Sequence, residues 1–309
     1  MSNLKQFRNR IKSIKSSEKI TKAMQMVSAS KLQKLKQQIS NSDPYLKVLS
    51  AILVDYVASG LLADLSINDQ RYFKEDESKA DLFIVITSER GLCGSFNSSL
   101  VKKIKIDIAK IEYDGRKVKL LVVGKKGYDL LKGKYQDIID SHYNIIKGEK
   151  SGSLLSNIKL KVLGLIDDGQ IGRCYIYYNK FKNAITQEAT KQCLLPAEMG
   201  SNLSIPDKLN TDKSSLKIAD NKKEKQLSNF EFEGEDIIHN VIELYINGLV
   251  NYTLLQSRAS EEGARMTAMD NATTNARDMI SKLTLKLNRS RQATITKELI
   301  EIISGAEVA

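Results

Sequence analysis

The feature that most constrains this chain is an absence: no proline follows Pro206, although the chain runs on to Ala309. Proline breaks helices because it lacks an N–H and clashes with the preceding turn, so a very long helix can run here uninterrupted. The apolar pattern says that one does. Val241, Tyr245, Gly248, Tyr252, Leu255, Ala259, Glu262, Met266, Met269, Thr273, Ala276, Ile280, Leu283 and Leu287 follow one another in alternating steps of four and three. That spacing is the seam of a coiled coil. Only Gly248, Glu262 and Thr273 depart from apolar character. Ser228 and Glu231 have capping-box spacing for a start, and Gly305 offers a stop. A helix from about residue 235 to 303 would be roughly 100 Å long.

The N-terminal region carries a matching seam at Leu4, Phe7, Ile11 and Ile14. Continuing the same steps lands on Glu18, Thr21, Gln25 and Ser28, which are polar, while Ile20, Met24 and Val27 form a second stripe. The pattern therefore predicts a phase slip, with the first register returning at Leu32, Leu35 and Ile39. Asp43-Pro44 marks a kink or a new helix start. Each terminal region has an apolar stripe that it cannot bury alone, so the two are expected to pair, antiparallel because the middle of the chain joins them at one end. Pairing Leu4 near Leu287 and Leu35 near Leu255 gives partner numbers that total about 290 and leaves the last 15 or so residues as a projecting single helix.

The middle changes period. Leu82–Ile86, Val118–Val123 and Cys174–Tyr178 are short, mostly apolar runs typical of buried strands, and Ile185–Leu195 alternates like an edge strand. Helical patterns lie between them, at Leu100–Ile111 and at Leu154, Ile158, Val162 and Leu165. The expected fold is thus α/β, with a long antiparallel coiled coil of the N- and C-terminal helices flanking a central Rossmann-like domain. The expected divisions are an N-terminal coiled-coil helix at 1–62, an α/β domain at 75–199, a polar linker at 200–229 and a C-terminal coiled-coil helix at 230–309.

Charge is concentrated at the start. Residues 1–36 carry ten bases against Glu18 alone, within a chain whose net charge is +11. Such a helix suits nucleic acid, an acidic membrane or an acidic protein. A basic coiled-coil protein that binds nucleic acid is therefore an alternative reading. Cys93, Cys174 and Cys193 form no disulfide framework, and no Cys/His cluster has metal-ligand spacing. No run is apolar and long enough to span a bilayer, and the N-terminus lacks a signal peptide's apolar core. A soluble, intracellular protein is expected.

Catalytic chemistry is hard to find. Arg90-Gly91-Leu92-Cys93-Gly94-Ser95 follows a strand and precedes a helix, where phosphate loops sit, but the third glycine of a dinucleotide fingerprint is missing. A tight turn or contact loop fits it better than a nucleotide-dependent enzyme does. Gly127 to Gly133-Lys134 has one residue too many for a phosphate loop, and Tyr135 stands where Ser or Thr should bind Mg²⁺. Cys93 has no evident histidine or acidic partner. No cofactor or metal is implied.

Four stretches carry a family resemblance. Lys19–Lys31 (KITKAMQMVSASK), Arg90–Asn97 (RGLCGSFN), Ala264–Met269 (ARMTAM) and Arg291–Ala306 (RQATITKELIEIISGA) resemble motifs of the gamma subunit of bacterial F-type ATP synthases, in the same order. Ser95 and Phe96 stand where that family more usually has Gly and Leu, and the dithiol insertion of chloroplast-type members is absent. The resemblance implies a non-catalytic rotating central stalk that couples proton-driven ring rotation to ATP synthesis or hydrolysis elsewhere. It implies three alpha and three beta subunits, an epsilon subunit and the c-ring as partners, with no nucleic acid. It implies a peripheral place on the cytoplasmic face of the inner membrane. By family position, partner contacts are expected at Met24, Arg90, Cys93, Arg265, Arg291, Gln292, Thr296 and Glu298.

Overall fold

The computed structural model describes residues 2–58, 70–145, 151–196 and 236–307. Two long helices dominate it: α1 (Ser2–Ala58, 57 residues) and α5 (Asp236–Glu307, 72 residues). Between them come β1 (Ala80–Ile86), α2 (Phe96–Tyr113), β2 (Val118–Val123), α3 (Lys125–Tyr135), β3 (Ile139–Tyr143), α4 (Ser151–Asp167), β4 (Ile171–Phe181) and β5 (Gln187–Leu195). The expected 200–229 linker and the Ser228/Glu231 start signal lie outside the described residues.

The sheet order is β3-β2-β1-β4-β5, parallel except for β5, which runs antiparallel along β4. This is the doubly wound arrangement, and β5 is the edge strand that its alternation suggested. Alternate residues of the central strands feed two cores. Phe83, Val85, Leu120, Val122 and Tyr177 meet Leu100, Ile104 and Ile108 of α2 on one face. Leu82, Ile84, Ile86, Ile176 and Tyr178 meet Ile158 and Val162 of α4 on the other. That second core also takes in Leu46, Leu49 and Leu53 of α1 and Ile242, Tyr245, Ile246 and Leu249 of α5. The sheet and the lower part of the helix pair thus share one core.

Three sequence expectations are corrected here. Helix α1 passes through Asp43-Pro44 without a new start. Helix α5 continues past Gly305 to Glu307, because one glycine costs a helix only about 1 kcal/mol. Finally, the phase of α1 does not slip. Glu18, Thr21, Gln25 and Ser28 are at least partly buried, in step with Ile14 and Leu32, whereas Ile20 and Val27 are 58% and 54% exposed. Their polarity misled the pattern: each was counted against the seam, yet several are paired across it.

Those pairs also fix the register. Thr21 faces Thr273 (Oγ1···Oγ1 2.8 Å), the Gln25 amide donates to Asp270 (2.8 Å), Arg277 donates to Glu18 (2.8 Å), and Lys31 reaches Glu262 (3.3 Å). The helices are antiparallel as expected, but displaced about one helical turn from the pairing that totals about 290. The α5 seam itself is as read: all its members from Val241 to Leu287 are buried or half-buried.

Neither α3 nor β3 was anticipated. Ile139-Asp140-Ser141-His142-Tyr143 has little apolar pattern, and the strand forms because β2 offers it a parallel partner. Helix α3 starts at a crowded turn. A Cβ on Gly124 would lie 2.4 Å from the Thr87 carbonyl, and Gly124 also has a φ of 97°. Gly127 and Lys134, weighed above as ends of a loop, are both on this helix.

Candidate functional site: the shaft, its tip and its seat in the sheet

In open α/β sheets, ligands bind beyond the carboxyl ends of the strands, where the order of connections reverses. Here that crevice lies between β1 and β4, and the protein fills it with its own parts. Ser88 after β1 donates its backbone N–H to Asn97 Oδ1 (3.0 Å), and Asn97 Nδ2 donates to Ser88 Oγ (2.7 Å). Cys93 is 2% exposed and packs with Phe96 of α2 and Ala264 of α5. Burial pushes the Cys93 thiol up, which disfavours the thiolate a nucleophile requires. Nearby, the N-terminus of α3 could seat an anion. Glu89 occupies it, accepting from the backbone N–H groups of Lys125 (3.2 Å) and Ile145 (3.1 Å). Among the described residues, no group of His, Cys, Asp and Glu could hold a metal ion.

Helix α5 crosses the same end of the sheet. Ser260 Oγ donates to the Asn179 carbonyl of β4 (2.7 Å), and Asn179 Nδ2 donates to the Phe96 carbonyl (3.0 Å). The Phe181 N–H donates to Gln256 Oε1 (3.2 Å), and Thr267 Oγ1 donates to the Ala184 carbonyl (2.8 Å). Gly263 lets the helix sit close: a Cβ there would be 3.2 Å from Phe181 and 3.5 Å from Ala184.

Interleaved with these contacts is a charged cluster. Arg265 is buried and pairs with Glu261 and with Glu262 (3.0 Å), and Glu262 also meets Lys31 of α1. Burial holds the Glu261 carboxyl above its ordinary value, against the pull of Arg265.

The expected partner-contact residues are therefore placed differently from one another. Arg265 and Cys93 face inward; around Cys93 the exposed side chains include Arg90, Leu92 and Ser95, with Leu92 in the left-handed region at φ 66°. Met24 is half-buried beside the seam. Arg291, Gln292, Thr296 and Glu298 are all exposed, near or beyond the point where α5 outruns α1. Residues that the sequence reading missed are Glu89, Asn179, Gln256, Ser260 and Thr267. Only the paired phase of Thr21 and Thr273 carried a usable signal, since polar residues sat at matching seam positions on both helices.

The architecture defines a long two-helix rod seated in an α/β domain whose ligand crevice is closed. Comparison with known proteins gives the family. A protein-family model described as ATP synthase matches residues 3–308. The ATP synthase gamma chain of Rickettsia bellii (strain RML369-C) is 50% identical over 307 residues, covering 99% of each chain. That of Rickettsia conorii is 48% identical over 325 residues, covering 100% of each. Among solved structures, the central stalk and c-ring of Tetrahymena thermophila mitochondrial ATP synthase contains a chain that aligns with a TM-score of 0.55 at 27% identity. The match covers 82% of this chain and 99% of that one. A chain of the Euglena gracilis mitochondrial ATP synthase rotor shares the fold, with a TM-score of 0.63 at 18% identity, covering 95% and 99%. The chain belongs to the ATP synthase gamma-chain family and is a component of ATP synthase. The nucleic-acid reading finds no support in these comparisons.

Proposed function

We propose that the chain is the central rotating stalk subunit of an F-type ATP synthase. In this reading it couples rotation of a proton-driven c-ring to ATP synthesis or hydrolysis in a head of three alpha and three beta subunits. It performs no catalysis itself, meets an epsilon subunit at the α/β domain, and sits peripherally at the cytoplasmic face of the inner membrane. The observation that carries the reading is the upper shaft. Ile20, Met26 and Val27 on α1, and Leu285, Ile295, Leu299, Ile300 and Ile303 on α5, are exposed large apolar residues. On α5, Ile295, Leu299 and Ile303 follow at steps of four and so share one face, an exposed apolar stripe of the kind that marks contact with a partner, here the wall of a close-fitting sleeve. The basic N-terminal helix fits acidic walls. The closed crevice and the Glu89 carboxylate at the α3 N-terminus support the absence of nucleotide chemistry. No described helix is long and apolar enough to cross a membrane, which fits a peripheral place.

The residues assigned to wall contact are Met24 on the shaft, Arg90 on the loop after β1, and Arg291, Gln292, Thr296 and Glu298 toward the tip. Cys93 and Arg265 act through the elements they hold in place. A charged hydrogen bond contributes about 1.5–3 kcal/mol, enough for Arg291 to hold an angle and still release it each turn.

The test is made in the assembled complex, with subunit content checked after gentle co-purification. Deleting Ile300–Ala309 should leave coupled ATP turnover reduced but present. Arg291→Ala with Gln292→Ala should lower it further. Failure to recover alpha and beta subunits with the tagged chain would defeat the stalk reading. A silent double substitution beside an inactivating deletion would defeat the division of labour at the tip.

A further inference from the structure

We propose that the crevice at the carboxyl end of the sheet is a torque joint, in which Gln256, Ser260 and Thr267 of α5 fix the rotary angle between shaft and α/β domain; this rests on the stalk reading above. The helix meets the domain in two different ways along its length. From Ile238 to Leu254 it lies on the sheet through buried apolar residues, including Ile242, Ile246 and Leu249. Apolar contact is non-directional, so it resists separation more than twist. From Gln256 to Thr267 the helix adds, beside the Cys93–Phe96–Ala264 packing, hydrogen bonds to main-chain groups of Asn179, Phe181 and Ala184. These weaken steeply as their angle departs from linearity, so they resist rotation about the helix axis.

Two of the three main-chain partners belong to a strand of the sheet, and the third, Ala184, to the turn between β4 and β5. Asn179 and Phe181 are on β4, and the Asn179 side chain ties that strand to the start of α2 at the Phe96 carbonyl. Ser260 and Asn179 are 0% and 1% exposed, so water does not compete for that bond. Lys36 of α1 lies 5.1 Å from the centre of the Phe181 ring, so both shaft helices meet the same point. A ligand crevice of an α/β sheet has thus become the socket of a shaft. Gln256, Ser260 and Thr267 are positioning residues: they touch no substrate and act by holding an angle.

The experiment uses assembled ATP synthase carrying this chain, with the catalytic head stalled and a bead attached through Tyr113→Cys on α2, a position 92% exposed. The angular spread of the bead reports the stiffness between head and α/β domain. Gln256→Met, Ser260→Ala and Thr267→Val together should widen its variance at least about twofold, because directional bonds are lost while the apolar grip remains. Thr267→Val alone, nearly the same shape and partly exposed, should give an intermediate widening. An unchanged spread in the triple variant overturns the joint. If the triple variant fails to assemble, an unchanged spread in Thr267→Val overturns it instead. The unsubstituted complex tests the stalk reading separately: absence of ATP-driven bead rotation there defeats that reading, whereas rotation with unaltered variant spreads defeats only the joint.

Discussion

From Leu32 toward Val57, α1 meets α5 through Leu46, Leu49 and Leu53 against Ile242, Tyr245 and Leu249, and the sheet covers them. From Glu18 to Gln25 the same two helices meet through Thr21–Thr273, Gln25–Asp270 and Glu18–Arg277, past the domain contact that Thr267 makes with Ala184. Beyond Ala276, none of the α5 residues whose burial is described is fully buried. The lower stretch gains its stability from apolar area removed from water, about 1.5–3 kcal/mol for each fully buried large side chain. The upper stretch gains little, but its pairs are specific: a polar residue in a seam selects one register among several of similar apolar content. One continuous helix pair is thus anchored at one end and aligned at the other. A shaft needs both, since a rod that slipped by a turn would present the wrong face to its sleeve.

The boundary between the two stretches is the Arg265 cluster, and breaking it should give a large and pH-dependent effect. Arg265→Met leaves Glu261 and Glu262 in their partly closed site without their main cation, and Glu262 Oε2 already lacks a hydrogen-bond partner among the described residues. The expected loss is about 3 kcal/mol in denaturant unfolding at pH 7, the low end for breaking a buried pair. The sign with pH follows from Glu261. Its carboxyl is raised by burial, so the folded state binds more protons than the unfolded state and stability falls as pH rises through that range. Removing Arg265 removes an attraction that opposes this rise. The variant's deficit should therefore shrink between pH 7 and pH 5, and a deficit independent of pH would separate Glu261 from the effect.

A second comparison sharpens the contrast in packing. Leu249 is 0% exposed, and Leu249→Ala should cost about 2–5 kcal/mol, a lost transfer energy plus a cavity. Leu283 is a half-buried seam residue of the upper shaft, and Leu283→Ala should cost under about 1 kcal/mol in the purified chain. Equal losses by thermal or urea unfolding would mean that the two stretches are stabilised alike.

The smallest effect concerns register. Thr273→Val alone should cost about 1 kcal/mol, because it leaves Thr21 facing an apolar neighbour. Thr21→Val combined with Thr273→Val should recover most of that stability, since both polar partners are gone. The pair should nevertheless lose definition. Cysteine cross-linking at opposed seam positions, tested in that double variant, should yield products displaced by one turn as well as the native product. A single product from the double variant would show that apolar packing alone sets the alignment.

The seam of α5, the strands β1, β2 and β4, and the resulting helix–sheet–helix plan were readable from the chain, because each rests on local periodicity. Val241 to Leu287 repeats over enough turns that three non-apolar members do not obscure it. The seam of α1 was readable only where it is apolar. Glu18, Thr21, Gln25 and Ser28 keep perfect phase, but a polar side chain looks like solvent exposure until its partner on the other helix is known. Strand β3 was illegible for a related reason: its five residues form a strand because a neighbouring strand supplies hydrogen bonds, not because of their own pattern.

By itself, then, the sequence determined that this chain would make a long rod and an α/β domain, since helix and strand periods are set by backbone geometry and each apolar stripe must be buried somewhere. Tertiary structure alone decided the register of the rod, the inward turn of Cys93 and Arg265, and the use of the strand-end crevice as a seat for α5. Those outcomes depend on pairings between residues up to 259 positions apart, as in Glu18 with Arg277. A hydrogen bond between two distant polar groups leaves no period in the chain, so only the folded arrangement, which brings both groups into reach, can choose it.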